Sequence, residues 1–262
     1  GVTTYCDTFS KETGERLAQE GVHADLVVAN NVFNHANDPL DFAVGVERIL
    51  HPRGTFVFEV PYWYNTIVDK RFDQIYHEHV SYFTVKSASN LLKTAGLHVF
   101  DVEWVDYHGG SIRVYASKLE DFPVSKAVSD FIRKEEEAQL FNPDMYEEFM
   151  ASVKVRRDKF LSQLYKLSST EDTPIIGVGA AAKGNTFLNF YNLDSTIIKY
   201  VTDSSEHKIG KYTPLSRIPI DSDENIFTKY DKVYALILSW NISDIVKNKL
   251  KELNSNIQFL EI

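Results

Sequence analysis

ADLVVANNVFNHANDPLDFAVGVERILHPRGTFVFEVP, residues 24–61, decides the fold. It opens with a short apolar run, LVVA, that stops at Asn30-Asn31 and reads as a buried strand. Leu40, Ala43, Val44, Val46, Ile49 and Leu50 then recur at helical spacing, with Asp38 placed to cap the helix and Pro39 in its first turn. HPRG ends that helix, and TFVFEV, residues 55–60, is a second apolar run closed by Pro61. Two strands apolar on both faces with a helix between them predict a parallel sheet covered by helices.

The same reasoning extends in both directions. Upstream, KETGERLAQE (11–20) predicts a polar helix and the β-branched run VTTYC (2–6) a short strand. Downstream, residues 85–95 predict a helix stopped by Gly96. LHVFDVEWV and SIRVYAS, joined through DYHGG, then predict an antiparallel hairpin at the sheet's edge. From residue 119 the chain changes character: KEEEAQ, PDMYEEFM and VKVRRDKFLSQLYKL predict helices with charged outer faces, followed by the linker SSTED. A second alternation begins at Pro174 with PIIGVG, AAAKGNTFLNFY, IIKYVTD and KVYALIL, then a helix around 242–253 and IQFLEI. The expected organisation is α/β, with Rossmann-like parallel-sheet units over residues 1–118 and 173–262 and a helical connector over 119–172.

Composition narrows the function. At 44% hydrophobic and 25% charged, the chain is ordinary for a globular protein, and 262 residues suit two domains. A net charge of −9 with no basic stripe argues against a nucleic-acid partner. No apolar run reaches the eighteen or so residues a membrane span needs, and no signal pattern opens the chain, so a cytoplasmic enzyme or binding protein is expected. The lone Cys6 rules out an internal disulfide and any multi-cysteine zinc site.

Four stretches carry candidate chemistry. FDQIYHEHVSYFT, residues 72–84, holds Tyr76, His77, Glu78, His79 and Tyr82 within seven positions. A metal site, a hydrogen-bonded core cluster and an acid/base site all fit such a group. No partner motif with ligand spacing stands out elsewhere, so no metal is expected. Imidazole titrates near neutral pH, which favours acid/base chemistry. On an extended segment His77 and His79 would share a face. GVGAAAKGNT, residues 177–186, follows an apolar run and opens a helix. Gly177 and Gly179 there fit a phosphate-binding turn with Asp203 ending the next strand, or a helix packed close on a sheet. Lys183 precedes Gly184 instead of following it, so this is no Walker A loop. VVANNVFNH, residues 27–35, places two asparagines at a strand end, where α/β sheets bind ligands and where asparagine also forms turns. DYHGGSIRVY, residues 106–115, is a hairpin turn or, with His108 and Arg113, an approach for a phosphorylated substrate.

Taken in order, ANNVFNHANDPLDF, FDQIYHEHVSYFT, HGGSIRVY, GVGAAAKGNTFLNF, GKYTPLSRIPI and LILSWNISDIV resemble the S-adenosylmethionine-dependent sugar C-methyltransferases. That family methylates C-3 of nucleotide-linked 4-keto-deoxy sugars. The resemblance runs through nearly the whole chain, most vaguely in the connector. It implies a base-generated enolate that attacks the sulfonium methyl in line. It implies His79 as the base, Glu78 as an orienting or polarising group, Tyr76 at the sugar or enolate oxygen, and His35 lining the same cleft. It places Asp7 and Phe9 on the adenine side of S-adenosylmethionine and Asn30 and Asn31 on the methionine side. His77, His108, Arg113, Gly177, Gly179, Lys183, Asn185 and Thr186 fall to the sugar nucleotide. Family members begin with a cysteine-rich zinc-binding domain and a glycine-rich loop that holds most of the cofactor. Neither is found here, so the first unit is expected to be incomplete at its N-terminus, and a homo-oligomer is compatible with an unfinished sheet edge. Two other readings stay open at this stage: a non-catalytic fragment that binds nucleotide sugar, and an NAD(P)-dependent oxidoreductase using Gly177, Gly179 and Asp203.

Overall fold

The computed structural model describes residues 1–120 and 122–261. They form two compact units: Gly1–Arg71 with His77–Tyr146, and Phe72–Tyr76 with residues 147–261. The stretch that carries the histidines is thus divided, its first five residues folding with the second unit.

The first unit runs α1 (Lys11–Gln19), β1 (Ala24–Asn30), α2 (Pro39–Ile49), β2 (Leu50–Pro61), α3 (Trp63–Val68), α4 (Val85–Thr94), β3 (His98–Val105), β4 (Ser111–Ser117) and α5 (Lys126–Glu137). Local chemistry starts the helices. Ser10 Oγ accepts from Thr13 N at 3.2 Å, and Asp38 Oδ1 accepts from Leu40 N and Asp41 N at 3.0 Å each. α1 and α2 touch through glycines: a Cβ on Gly14 would lie 2.4 Å from Gly45 O. The sheet order is β1-β2-β4-β3, with β1 and β2 parallel and the other pairs antiparallel. α2, α4 and α5 bury one face of it through Ala43, Val46, Ala88, Leu92 and Val128. Phe33 centres that core, stacked on Phe83 at 5.1 Å and tilted against Phe58 at 4.8 Å.

Three expectations change here. LVVA is not a buried strand, since Leu26 and Val28 are 58% and 55% exposed. β1 is an edge strand, and the face those two side chains share is exposed. VTTYC is coil, because its backbone joins no ladder and β-branched residues make a strand only where a partner strand is present. The connector's charges do not all face outward: Glu135 is fully buried.

α6 (Pro143–Thr170) begins in the first unit and continues into the second. There follow β5 (Ile175–Val178), α7 (Ala182–Phe190), β6 (Ile198–Thr202), β7 (Ile220–Asp221), α8 (Asp223–Phe227), β8 (Val233–Ile237), α9 (Ser243–Leu253) and β9 (Ile257–Leu260). All pairings in the order β7-β6-β5-β8-β9 are parallel. Alternate residues of β5 serve opposite faces. Ile175 joins Phe160, Leu164, Phe187 and Leu188 of α6 and α7, whereas Ile176 and Val178 join Ile226, Phe227 and Leu250 of α8 and α9. The strand order reverses about β5, the place where open parallel sheets leave a crevice. Among the described residues no helix is long and apolar enough to cross a membrane.

Candidate active site

The stretch 72–84 starts with a single 3₁₀ turn, Phe72–Gln74, and ends at the cap of α4. Phe72 packs in the second unit against Phe190, Tyr191 and Phe187 at 4.5, 5.9 and 6.3 Å. Asp73 is buried there, and its carboxylate accepts the indole N–H of Trp240. From His77 onward the stretch belongs to the first unit. Phe83 lies under the end of β2, where Trp63 N donates to its carbonyl at 3.1 Å.

In the first unit the structure brings together His35 and His79. Their rings stand perpendicular at 85° with centroids 5.1 Å apart, and the Tyr82 ring meets His79 edge-on at 6.3 Å. His79 is 8% exposed. Ser81 N donates to Asn34 O at 3.1 Å, which ties the turn bearing His79 to the 3₁₀ turn Phe33–His35 that follows β1. His77 and His79 do not share a face: the His77 side chain is 85% exposed, with Glu78 Oε1 3.9 Å away. Residues 76–78 form a turn instead of an extended segment, so the two-residue period fails. Glu78 is exposed, and Tyr76 is half-buried and folds with the second unit. A desolvated imidazole held by a second ring can take a proton from a carbon acid. An imidazole in open water lacks that preorganisation.

The residues expected at the cofactor lie around β1 and α1. Asn30 ends β1 exposed, while Asn31 turns with φ 53° and donates its N–H to Glu59 O at 2.7 Å. A left-handed asparagine is the common choice where a strand must turn sharply. Asp7 meets Arg16 Nη2 at 2.7 Å and accepts from Thr8 N at 2.8 Å. Phe9 packs on Phe42 at 4.9 Å. Asn30 and Asn31 thus stand at the carboxyl end of the parallel pair, and Asp7 and Phe9 at the entry to α1.

Arg113 and His108 are committed to the hairpin. Arg113 bridges Glu59 (Nη2 at 2.9 Å, Nε at 3.1 Å) and Glu103 (Nη1 at 2.9 Å), which raises its pKa further. The Tyr115 hydroxyl, and then Arg113, hold the Glu103 carboxyl below its ordinary value. His108 has φ 51° in the turn and rests on the Tyr107 ring at 4.1 Å.

In the second unit the turn after β5 is closed by its own protein. Gly179 N donates to Thr202 O at 2.7 Å, and Ala180 N to Asp203 Oδ2 at 2.9 Å. Asp203 also accepts from Ser205 N at 2.9 Å and pairs with Lys208 at 3.0 Å. A Cβ on Gly177 would press on Leu238 at 3.0 Å, and one on Gly179 would lie 2.6 Å from Ser239 Oγ. Packing therefore accounts for both glycines, and the carboxylate proposed for a ribose serves the turn. Further along α7, Lys183 is buried with Nζ 4.9 Å from the Trp240 ring centroid. Thr186 Oγ1 bonds back to Ala182 O at 3.2 Å. Asn185 Oδ1 is buried without a partner, and Asn185 lines a cavity of about 30 Å³ with Gly179, Ala181 and Thr213. Sequence reasoning left Asp73 and Trp240 unassigned, although LSWN stood among the distinctive strings.

Comparison with known proteins gives the family. A family model described as the C-methyltransferase C-terminal domain matches residues 106–260, more than half of the chain, and one described as a methyltransferase domain matches residues 3–102. The chain belongs to the C-methyltransferase family. Among its relatives, C-methyltransferase NovU of Streptomyces niveus is 33% identical over 262 residues, covering 99% of this chain and 62% of NovU. The chain thus spans less than two thirds of that relative's length. Among solved structures, CalO1, a methyltransferase in calicheamicin biosynthesis in its SAH-bound form, is 14% identical, covers 37% of this chain and 31% of its own, and gives a TM-score of 0.29. LepI in complex with SAM is 13% identical, covers 36% of this chain and 26% of its own, and gives the same TM-score of 0.29.

Proposed function

We propose that this chain carries the catalytic and sugar-binding parts of an S-adenosylmethionine-dependent C-methyltransferase acting on a nucleotide-linked 4-keto-deoxy sugar. The observation that carries the reading is the buried His79 imidazole with the His35 ring set against it, in a chain of the C-methyltransferase family.

Methylation at carbon needs a carbon nucleophile, and a carbon beside a ketone becomes one when a base takes its proton. His79 is that base: it is desolvated, oriented by His35, and of a residue type that exchanges protons near neutral pH. The oxygen of the resulting enolate gains charge and needs a hydrogen-bond donor; the Tyr76 hydroxyl takes that role, with Glu78 orienting its neighbours. His35 fixes the plane of the His79 ring. Asn30 and Asn31, with Asp7 and Phe9, hold S-adenosylmethionine, which supplies the electrophilic methyl group. Residues 1–118 thus carry the chemistry, 119–172 connect, and 173–262 hold the sugar nucleotide through Lys183 and Asn185. The carboxylate of Asp203, occupied by Ala180 N, Ser205 N and Lys208, argues against the nicotinamide reading.

The test joins calorimetric binding of S-adenosylmethionine to a methyl-transfer assay on a thymidine-diphospho 4-keto-deoxy sugar. Transfer by the chain, abolished in His79→Ala, supports the reading. Sugar-nucleotide binding without turnover would sink it in favour of a binding module. Full turnover in His79→Ala would remove the assigned base.

A further inference from the structure

Asp73 lies six positions before His79, yet it folds with the second unit and is 5% exposed. Its carboxylate accepts the indole N–H of Trp240, in the 3₁₀ turn that follows β8. On the face of that indole stands Lys183 Nζ, 4.9 Å from the ring centroid, itself only 7% exposed. Beside this chain of contacts Phe72 is wedged among Phe187, Phe190 and Tyr191. A carboxylate and an ammonium seldom go into a protein interior unless specific partners hold them there. Here an acid, an indole and a cation are committed to fixing two residues of an irregular segment. That segment has no regular ladder to fix it, and it leads directly to Tyr76 and His79.

We propose that Asp73 is a positioning residue for methyl transfer: through Trp240, it sets where the segment bearing Tyr76 and His79 leaves the second unit. The inference rests on His79 as the base. Displacing a reacting group by an ångström or so lowers rate far more than binding, because near-attack geometry is lost while the contacts that hold substrate remain. Trp240 also links the segment to α7. Lys183 and Asp73 are thereby joined by two contacts, Lys183 with Trp240 and Trp240 with Asp73.

The experiment uses the whole chain and two conservative variants. Asp73→Asn keeps the shape and loses the charge, and Trp240→Phe keeps a ring beneath Lys183 and loses the N–H. The first readout is the ¹H–¹³C signal of the His79 ring, assigned by its absence in His79→Ala. The second is the split of kcat from KM with the sugar nucleotide. The expected result is a shifted or broadened His79 signal in both variants, with kcat down about tenfold to a hundredfold and KM within about threefold. The double variant should fall little further than Trp240→Phe alone, because both substitutions act on one contact: asparagine keeps an acceptor for the indole N–H without the charge, and phenylalanine removes the donor. Asp73→Glu should recover part of the rate. A His79 signal superimposable on the wild type in both single variants overturns the proposal, whether or not the chain turns over. So does a shifted signal with kcat unchanged, or a double variant that loses the product of the two single effects. Absence of methyl transfer in the unmodified chain would count against the function proposed above and leaves the signal test of Asp73 standing. If Asp73→Asn does not fold, Trp240→Phe decides alone.

Discussion

Replacing Glu135 by alanine tests how the histidine-bearing stretch is anchored at its C-terminal end. Glu135 has 0% of its surface exposed, and its carboxylate accepts from Val85 N at 2.5 Å, Lys86 N at 3.1 Å and the Tyr62 hydroxyl at 3.0 Å. Val85 and Lys86 open α4, whose first amides have no partner inside the helix. Thr84 and Ser87 satisfy each other next, Ser87 N reaching Thr84 Oγ1 at 3.0 Å and Thr84 N reaching Ser87 Oγ at 2.9 Å. The positive end of the helix therefore rests on a buried carboxylate. Alanine leaves Val85 N–H and the Tyr62 hydroxyl buried without an acceptor, at ~1–3 kcal/mol each, while the partly exposed Lys86 N–H can turn to water. Burial works in the opposite direction: it raises the Glu135 pKa in spite of the donors from Lys86, Val85 and Tyr62, so removing the charge returns part of the loss. The net expectation for Glu135→Ala is a loss of about 2–5 kcal/mol. Glutamine keeps an acceptor for Val85 and Tyr62 and sheds the charge, but turns an amide N–H₂ toward Lys86 N–H, and its expected cost is about 0–2 kcal/mol. Urea unfolding reads both as shifts in midpoint at constant slope. Glu135→Ala within about 1 kcal/mol of the wild type would refute the reasoning, and so would glutamine costing as much as alanine.

Other outcomes follow from the same geometry. Because the folded-state pKa of Glu135 is raised, its contribution to stability is fully present below the ordinary glutamate value and is lost as pH rises through the raised value. Wild-type stability minus that of Glu135→Gln should therefore fall with rising pH across that window and then level off; a difference that grows with pH would contradict it. His79→Ala should lower methyl transfer by about 10²–10⁴-fold, whereas the exposed His77→Ala should stay within a few-fold of wild type, both measured as kcat/KM. Gly179→Ala combines φ +97° with a Cβ 2.6 Å from Ser239 Oγ, and calorimetry should register a loss of about 2–4 kcal/mol. Asp203→Asn keeps one acceptor for the turn and loses the partly exposed Lys208 pair, so about 1–2 kcal/mol is expected. NADH fluorescence should not respond to the wild-type chain at millimolar cofactor; a saturable response would revive the nicotinamide reading.

Much of the architecture was legible because it rests on local chemistry. Asp38 and Pro39 start α2 where the capping rule places them, and Gly96 ends the helix before β3 with φ +79°. The alternation of apolar runs with helical spacing marks both sheets, since a strand and a helix differ in period within a few residues. The YHEH cluster stood out as chemistry for the same reason, being a concentration of titratable groups along one short segment.

What only the tertiary structure decided depends on residues far apart in the chain. The choice of His79 over His77 as the buried ring comes from a turn that breaks the two-residue period and from His35, delivered by a different element. Arg113 read as a phosphate ligand until the register set it between Glu59 and Glu103. Asp203 read as a ribose ligand until the fold turned its carboxylate onto Ala180 N. LVVA read as buried because apolarity is local, whereas cover is not: Leu26 and Val28 lie on an edge strand. A side chain's identity says which bonds it can form. Which of them it forms depends on the partner that folding places beside it, and that partner leaves no mark in the neighbouring sequence.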